Sequence, residues 1–97
     1  MTSITPPAGR RPVVLLSRNE AYPVRELVTV APVTSRARGI PAEVPLSSAD
    51  GLPRACVVNL DTVTTIPKRL LAERLAVLGP LKVTAVDRAL RFALGLM

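Results

Sequence analysis

The stretch "APVTSRARGIP", Ala31 to Pro41, sets two hydroxyls, Thr34 and Ser35, beside two arginines, Arg36 and Arg38, where an apolar run stops. Guanidinium forks and hydroxyls gathered at a strand end can hold the oxygens of a phosphate. The same residues also suit an ordinary solvated loop. As a phosphate site, the patch would steady the extra negative charge of a phosphoryl transition state. With RNA as substrate the nucleophile comes with it, because the 2′-hydroxyl lies next to the scissile phosphate. The chain has no histidine, no Asp/Glu/His cluster to hold a metal and no GxxxxGK loop for a nucleoside triphosphate. Neither a cofactor nor a metal is therefore expected. The one cysteine, Cys56, lies in the apolar run "ACVVNL" and reads as a structural thiol. Without a histidine to activate it, cysteine-protease chemistry is excluded.

The elements that must position these groups read as a small antiparallel sheet with a C-terminal helix, an α+β plan that is mainly β. "PVVLLS" (residues 12–17) is a continuous β-rich run, the pattern of a strand buried on both faces. "ELVTVAPV" (26–33) is a second strand, with Pro32 weakening its final pairing. "AEVPL" (42–46) alternates, and Pro45 marks it as an edge strand. "SSADGLPR" (47–54) is a turn with an Asp-Gly signal. "ACVVNL" and "DTVTTI" read as one long strand or two short ones, broken by Pro67. Leu70, Leu71, Leu75 and Leu78 have helical spacing in "KRLLAERLAVL" (68–78). "PLKVTAVDRALRFALGL" (80–96) is the stronger helix. Pro80 suits the first helical position, and Val83, Val86, Leu90, Ala93 and Leu94 form one apolar stripe. Gly95 is a plausible stop, and Asp87 lies four residues before Arg91.

An antiparallel hairpin of the first two strands brings distant residues together. Pairing Ser17 with Val28 makes paired residue numbers sum to 45, which sets Arg11 opposite Thr34. Arg11, Thr34, Ser35, Arg36 and Arg38 then share one end of the sheet, although a one-residue slip would exchange the faces. Pro12 restrains Arg11 to extended backbone, and Gly39 lets the chain turn.

Ninety-seven residues make a single domain with a thin core that a partner subunit would help to complete. Residues 1–9 are small, polar and proline-rich and are expected to be disordered. The N-terminus carries no apolar signal segment and no apolar run approaches the ~20 residues that span a bilayer. The formal charge is +6, and 11 of the 13 basic residues are arginine. Arg10 to Arg38 holds six arginines against Glu20 and Glu26, a local +4 that suits an acidic partner.

"RRPVVLLSRNEA", "VTVAPVTSRARGIPAEVPL", "GLPRACVVNLDTVTTIPKRLLAERLAVLGP" and "VDRALRFALGL" resemble, in order and spacing, the MazF/PemK toxins of bacterial toxin–antitoxin pairs. The resemblance covers about residues 10–96, so 10–97 is expected to be the toxin domain. It implies a small SH3-like antiparallel barrel with a C-terminal helix, assembled as a homodimer in the cytoplasm. It implies sequence-selective, metal-independent cleavage of single-stranded RNA to a 2′,3′-cyclic phosphate and a 5′-hydroxyl. It also implies silencing by a cognate antitoxin with an acidic, partly disordered segment. Family members rely on the arginine of "RP" and the threonine after "P-x", here Arg11 and Thr34. The family's groove involves the following loop, here Arg36 to Pro41 with Arg38 and Ile40, and the pair Asp61 and Thr62 in the "NLDTV" strand. Ser17 matches a recurrent serine that supports the site. By the same resemblance 73–78 is a strand, with only a short helical turn near 68–71. The chain departs from the family at its start, which lacks a strand of the "RGDIWWVDL" kind. That departure implies a lost strand, an open sheet edge and, as an alternative function, a truncated, catalytically weak dimeric module that binds an antitoxin, RNA or another protein.

Overall fold

The computed structural model describes residues 3–5, 12–16, 26–71 and 76–96. Seven strands, β1 (Ser3–Thr5), β2 (Val13–Leu15), β3 (Leu27–Thr34), β4 (Glu43–Leu46), β5 (Cys56–Asn59), β6 (Thr64–Pro67) and β7 (Ala76–Val77), precede one helix, α1 (Pro80–Ala93). Every ladder is antiparallel, in the order β4-β5-β3-β2-β1-β7, with β6 also on β3.

β3 organises the sheet. Val13, Val14 and Leu15 pair with Pro32, Ala31 and Val30, each pair summing to 45 as the hairpin predicts. Val30 also pairs with Thr64, so β2 and β6 lie on opposite edges of β3. Further along, Val33 and Thr34 pair with Val58 and Val57 of β5. The Thr29 carbonyl accepts from Leu16 N and Val33 N donates to the Pro12 carbonyl, so odd-numbered residues of β3 bond toward β2. Pro32, being even-numbered, lacks its N–H on the other edge, in the gap where β3 passes from β6 to β5. That is why a proline is tolerated inside this strand.

Both faces of β2 and β3 are buried. Val14, Ala31 and Val33 join Val44, Leu46, Val58, Leu60, Leu78, Val86 and Ala89 in the main core. Val13, Val28 and Val30 turn to the other face, against Leu15, Ile66 and Leu71. α1 packs chiefly on β4 and on the 3-10 turn Leu60–Thr62. It begins at Pro80 and ends in a Schellman motif: Gly95, at φ 72°, donates to Phe92 O, and Leu96 donates to Arg91 O. Asp87 and Arg91 form the expected pair at 3.1 Å, exposed and worth only ~0.3–0.5 kcal/mol.

Several expectations need correction. Ser3–Thr5, inside the segment expected to be disordered, is paired with β2 on one side and β7 on the other. β-Branched Ile4 and Thr5 favour this, and pairing covers the edge of β2 that was expected to lie open. Closure into a barrel is not found: among the described residues no ladder joins β4 to β7. β4 is four residues long and carries Pro45, and β7 is two residues long, so neither end offers a ladder to close on. Lys68–Leu70 is a short 3-10 turn and Ala76–Val77 a strand, so the leucine spacing over 68–78 does not make a long helix. Of the two readings of "ACVVNL" and "DTVTTI", two short strands is the one found: the turn Leu60–Thr62 separates β5 from β6, and β6 ends at Pro67. In α1, Ala89 is buried and Leu94 is 60% exposed, since Leu94 lies past the last helical residue.

Candidate active site

Thr34 ends β3 half-buried and its Oγ1 accepts a hydrogen bond from Arg36 N at 3.2 Å. This local turn directs the chain off the strand and orients the hydroxyl. With one lone pair occupied, the Thr34 O–H remains a donor toward a ligand oxygen. Ser35, Arg36, Ala37, Arg38 and Gly39 follow as an exposed loop, and Ile40 is half-buried. Gly39 has φ 70°, a conformation open to glycine at little cost. Ser35 and Ala37 border a groove of about 370 Å³ that Pro45, Cys56, Val57 and Lys82 also line.

The loop spans the sheet. β3 leaves at Thr34, beside Val57, and β4 starts at Glu43, beside Asn59, so residues 35–42 cross from one end of β5 to the other. Glu43 secures the far end. Its Oε1 accepts from Arg38 N at 2.9 Å and from Gly39 N at 3.0 Å, while Glu43 N donates to Ile40 O. Its Oε2 is buried and has no hydrogen-bond partner among the described residues.

Thr34, Ser35, Arg36, Arg38 and Ile40 thus share one loop and its root. Asp61 and Thr62 do not join Thr34. They are exposed in the 3-10 turn after β5, at its opposite end, and not in a strand. Asn59 causes this: its Oδ1 accepts from Asp61 N at 2.8 Å, a side-chain bond that replaces the next rung of the ladder. Leu60 N donates to Ala42 O, so this turn borders the Glu43 end of the loop. Arg11 and Ser17 lie outside the described residues; the neighbouring Pro12 carbonyl bonds Val33 N, next to Thr34.

Residues 4–94 match the family described as PemK-like, MazF-like toxin of type II toxin–antitoxin system. The chain belongs to this toxin family. It is 42% identical over 86 residues, 88% of this chain and 79% of the relative, to the probable endoribonuclease MazF5 of Mycobacterium tuberculosis. Its fold is similar to that of the Mycobacterium tuberculosis toxin MazF-mt6, at a TM-score of 0.91 and 32% identity, covering 100% of this chain and 99% of that one. A mycobacterial endoribonuclease in complex with its cognate antitoxin is also similar, at a TM-score of 0.85 and 26% identity over 99% of this chain and 93% of that one.

In this PemK/MazF-family chain two residues at the site went unnoticed in the sequence. Glu43 looks like the solvated face of an alternating edge strand, since Val44 and Leu46 take the core face. Only the fold shows that a loop covers it. Lys82, in the first turn of α1, donates to the Pro45 carbonyl and lies 3.9 Å from Asp50, fixing the helix start against β4. Nothing in its local sequence signals this.

Cys56 borders the groove half-buried, and burial, with the Asp50 carboxylate adding to it, pushes its thiol pKa up. A raised folded pKa contributes stability that is complete below the unfolded thiol's pKa of ~8.5 and is lost as pH rises through the folded value. From pH ~8 to ~10 the urea midpoint should therefore fall more in the wild type than in Cys56→Ser. Equal falls in the two proteins would show that the thiol is not perturbed by the fold.

Proposed function

We propose that the chain is the endoribonuclease toxin of a type II toxin–antitoxin pair, cutting single-stranded RNA with sequence selectivity and without a metal. The observation that carries this reading is the Thr34 hydroxyl, held by Arg36 N at the root of an arginine-bearing loop in a chain of this family. The relatives named as endoribonucleases support it. The 2′-oxygen of the substrate attacks the adjacent phosphorus, the bond to the 5′-oxygen breaks, and the products are a 2′,3′-cyclic phosphate and a 5′-hydroxyl. The proton lost from the 2′-hydroxyl passes to water, and the departing 5′-oxygen takes one up. The β2–β3 pairs sum to 45, the register on which Arg11 is the proposed partner of Thr34. There the guanidinium would bind the non-bridging oxygens as charge builds on them, with the Thr34 hydroxyl donating a further hydrogen bond. Arginine stays charged at neutral pH, so it serves as an electrostatic clamp and not as the base. Ser17 and Ser35 support the phosphate site. Arg36 and Arg38 draw the RNA backbone in, Ile40 contacts the substrate from the same loop, and Asp61 with Thr62 touches bases beyond the cut.

The reading extends to a cytoplasmic homodimer whose groove is closed by the acidic segment of a cognate antitoxin. The alternative of a catalytically weak binding module is not favoured, because Thr34 and Arg11 are retained and β1 fills the edge next to β2. The test is incubation of a long single-stranded RNA with the protein in EDTA, followed by chemical mapping of the new ends. Cyclic phosphate and 5′-hydroxyl ends are expected. Intact RNA, or cuts that require added magnesium, would overturn the proposal.

A further inference from the structure

We infer that Glu43 is a positioning residue for RNA cleavage, acting through the backbone of the 35–42 loop; this rests on the function proposed above. The loop is pinned at two points. Thr34 Oγ1 holds Arg36 N at its root, and Glu43 Oε1 holds Arg38 N and Gly39 N near its far end. Two consecutive amides on one carboxylate oxygen, together with the Glu43 N to Ile40 O bond, leave the segment between the pins little freedom. Releasing the far pin lets the chain at Arg36 shift, and the bond that orients the Thr34 hydroxyl shifts with it. Oε2 is buried with no partner among the described residues, so among them the carboxylate bonds only the loop, through Oε1. Glu43 also lies on the face of β4 opposite Val44 and Leu46, outside the apolar core, so the fold does not require it for packing.

Two conservative variants separate reach from charge. Glu43→Gln keeps an acceptor oxygen at the same reach and removes the charge. Glu43→Asp keeps the charge and draws the oxygen back by one methylene, away from both amides. If Glu43 acts by holding the loop, Glu43→Asp lowers kcat roughly 10- to 100-fold, the loss expected when a reacting group is displaced by about an ångström. KM then changes less than about threefold, because the phosphate-binding arginines keep their charge. Glu43→Gln stays within about fivefold of the wild type in kcat, since its amide oxygen still accepts both bonds. Amide hydrogen exchange at Arg38 and Gly39 should be slow in the wild type and the glutamine variant and fast in the aspartate variant.

Full activity in Glu43→Asp with a strong loss in Glu43→Gln would mean that the charge matters and the hydrogen bonds do not, which overturns the inference. So would unchanged kcat in both, or an aspartate variant that unfolds, which would assign Glu43 to stability. The underlying functional reading fails separately, if the wild-type protein cleaves no RNA.

Discussion

Arg11→Ala and Thr34→Ala each lower kcat for RNA cleavage by about 10²–10³-fold, the usual loss when one donor to a developing oxyanion is removed. In the proposed mechanism the two side chains do different work, and conservative variants test it. Arg11→Lys keeps a positive charge but loses the planar fork that binds two phosphate oxygens at once, so it recovers only a small part of the lost rate. Thr34→Ser keeps the hydroxyl and its bond from Arg36 N, and is expected within roughly tenfold of the wild type. Thr34→Val keeps the β-branched shape that suits the end of a strand but has no hydroxyl, and should be as impaired as Thr34→Ala. The measurement is single-turnover cleavage at saturating RNA, with circular dichroism to show that each variant is folded. An active Thr34→Val would remove the hydroxyl from the mechanism, and an active Arg11→Ala would place the clamp elsewhere.

Leu60→Ala destabilises the fold by about 2–5 kcal/mol, the range for emptying a buried leucine site. Leu60 is 1% exposed and belongs to the main core with Val58, Leu78 and Val86, in the turn on which α1 packs. Its backbone N is also tied to Ala42 O, which limits how far the turn can collapse into the space left behind. A domain of this size has about 5–15 kcal/mol to lose, so the change removes a large share of it. Urea unfolding followed by circular dichroism measures the shift. Leu94→Ala is the comparison, because Leu94 was expected in the apolar stripe and is 60% exposed. It should move stability by less than about 0.5 kcal/mol. A Leu60→Ala loss below that of Leu94→Ala would mean that Leu60 does not lie in the core.

The hairpin register was a supposition before any coordinates. Supposing that Ser17 pairs with Val28 makes paired numbers sum to 45, and the pairs 13–32, 14–31 and 15–30 carry that sum, although runs apolar at successive positions do not by themselves exclude a slip. The edge position of β4 followed from Pro45, and the limits of α1 from Pro80 and Gly95, because proline and glycine act through their own backbone preferences. The family, too, could be read from ordered blocks of residues. Asp61 and Thr62 were placed in a strand because β-branched runs favour one; the Asn59 side chain, bonding two residues ahead, turned the chain instead. The leucine spacing over 68–78 matched a helix because short apolar runs fit either period, and sheet pairing at Ala76 and Val77 decided the matter.

Residue types and their local spacing therefore determined strands β2, β3 and β4, the helix and the presence of a hydroxyl and arginines on one loop. Those properties depend on interactions within a few residues or on a simple alternation. Tertiary structure alone decided that β1 covers the edge of β2, that the sheet stays open, and that Glu43 reaches back to the amides of Arg38 and Gly39. Each of these is set by which surfaces meet when the loops close, and neither periodicity nor propensity encodes where a crossing loop comes to rest.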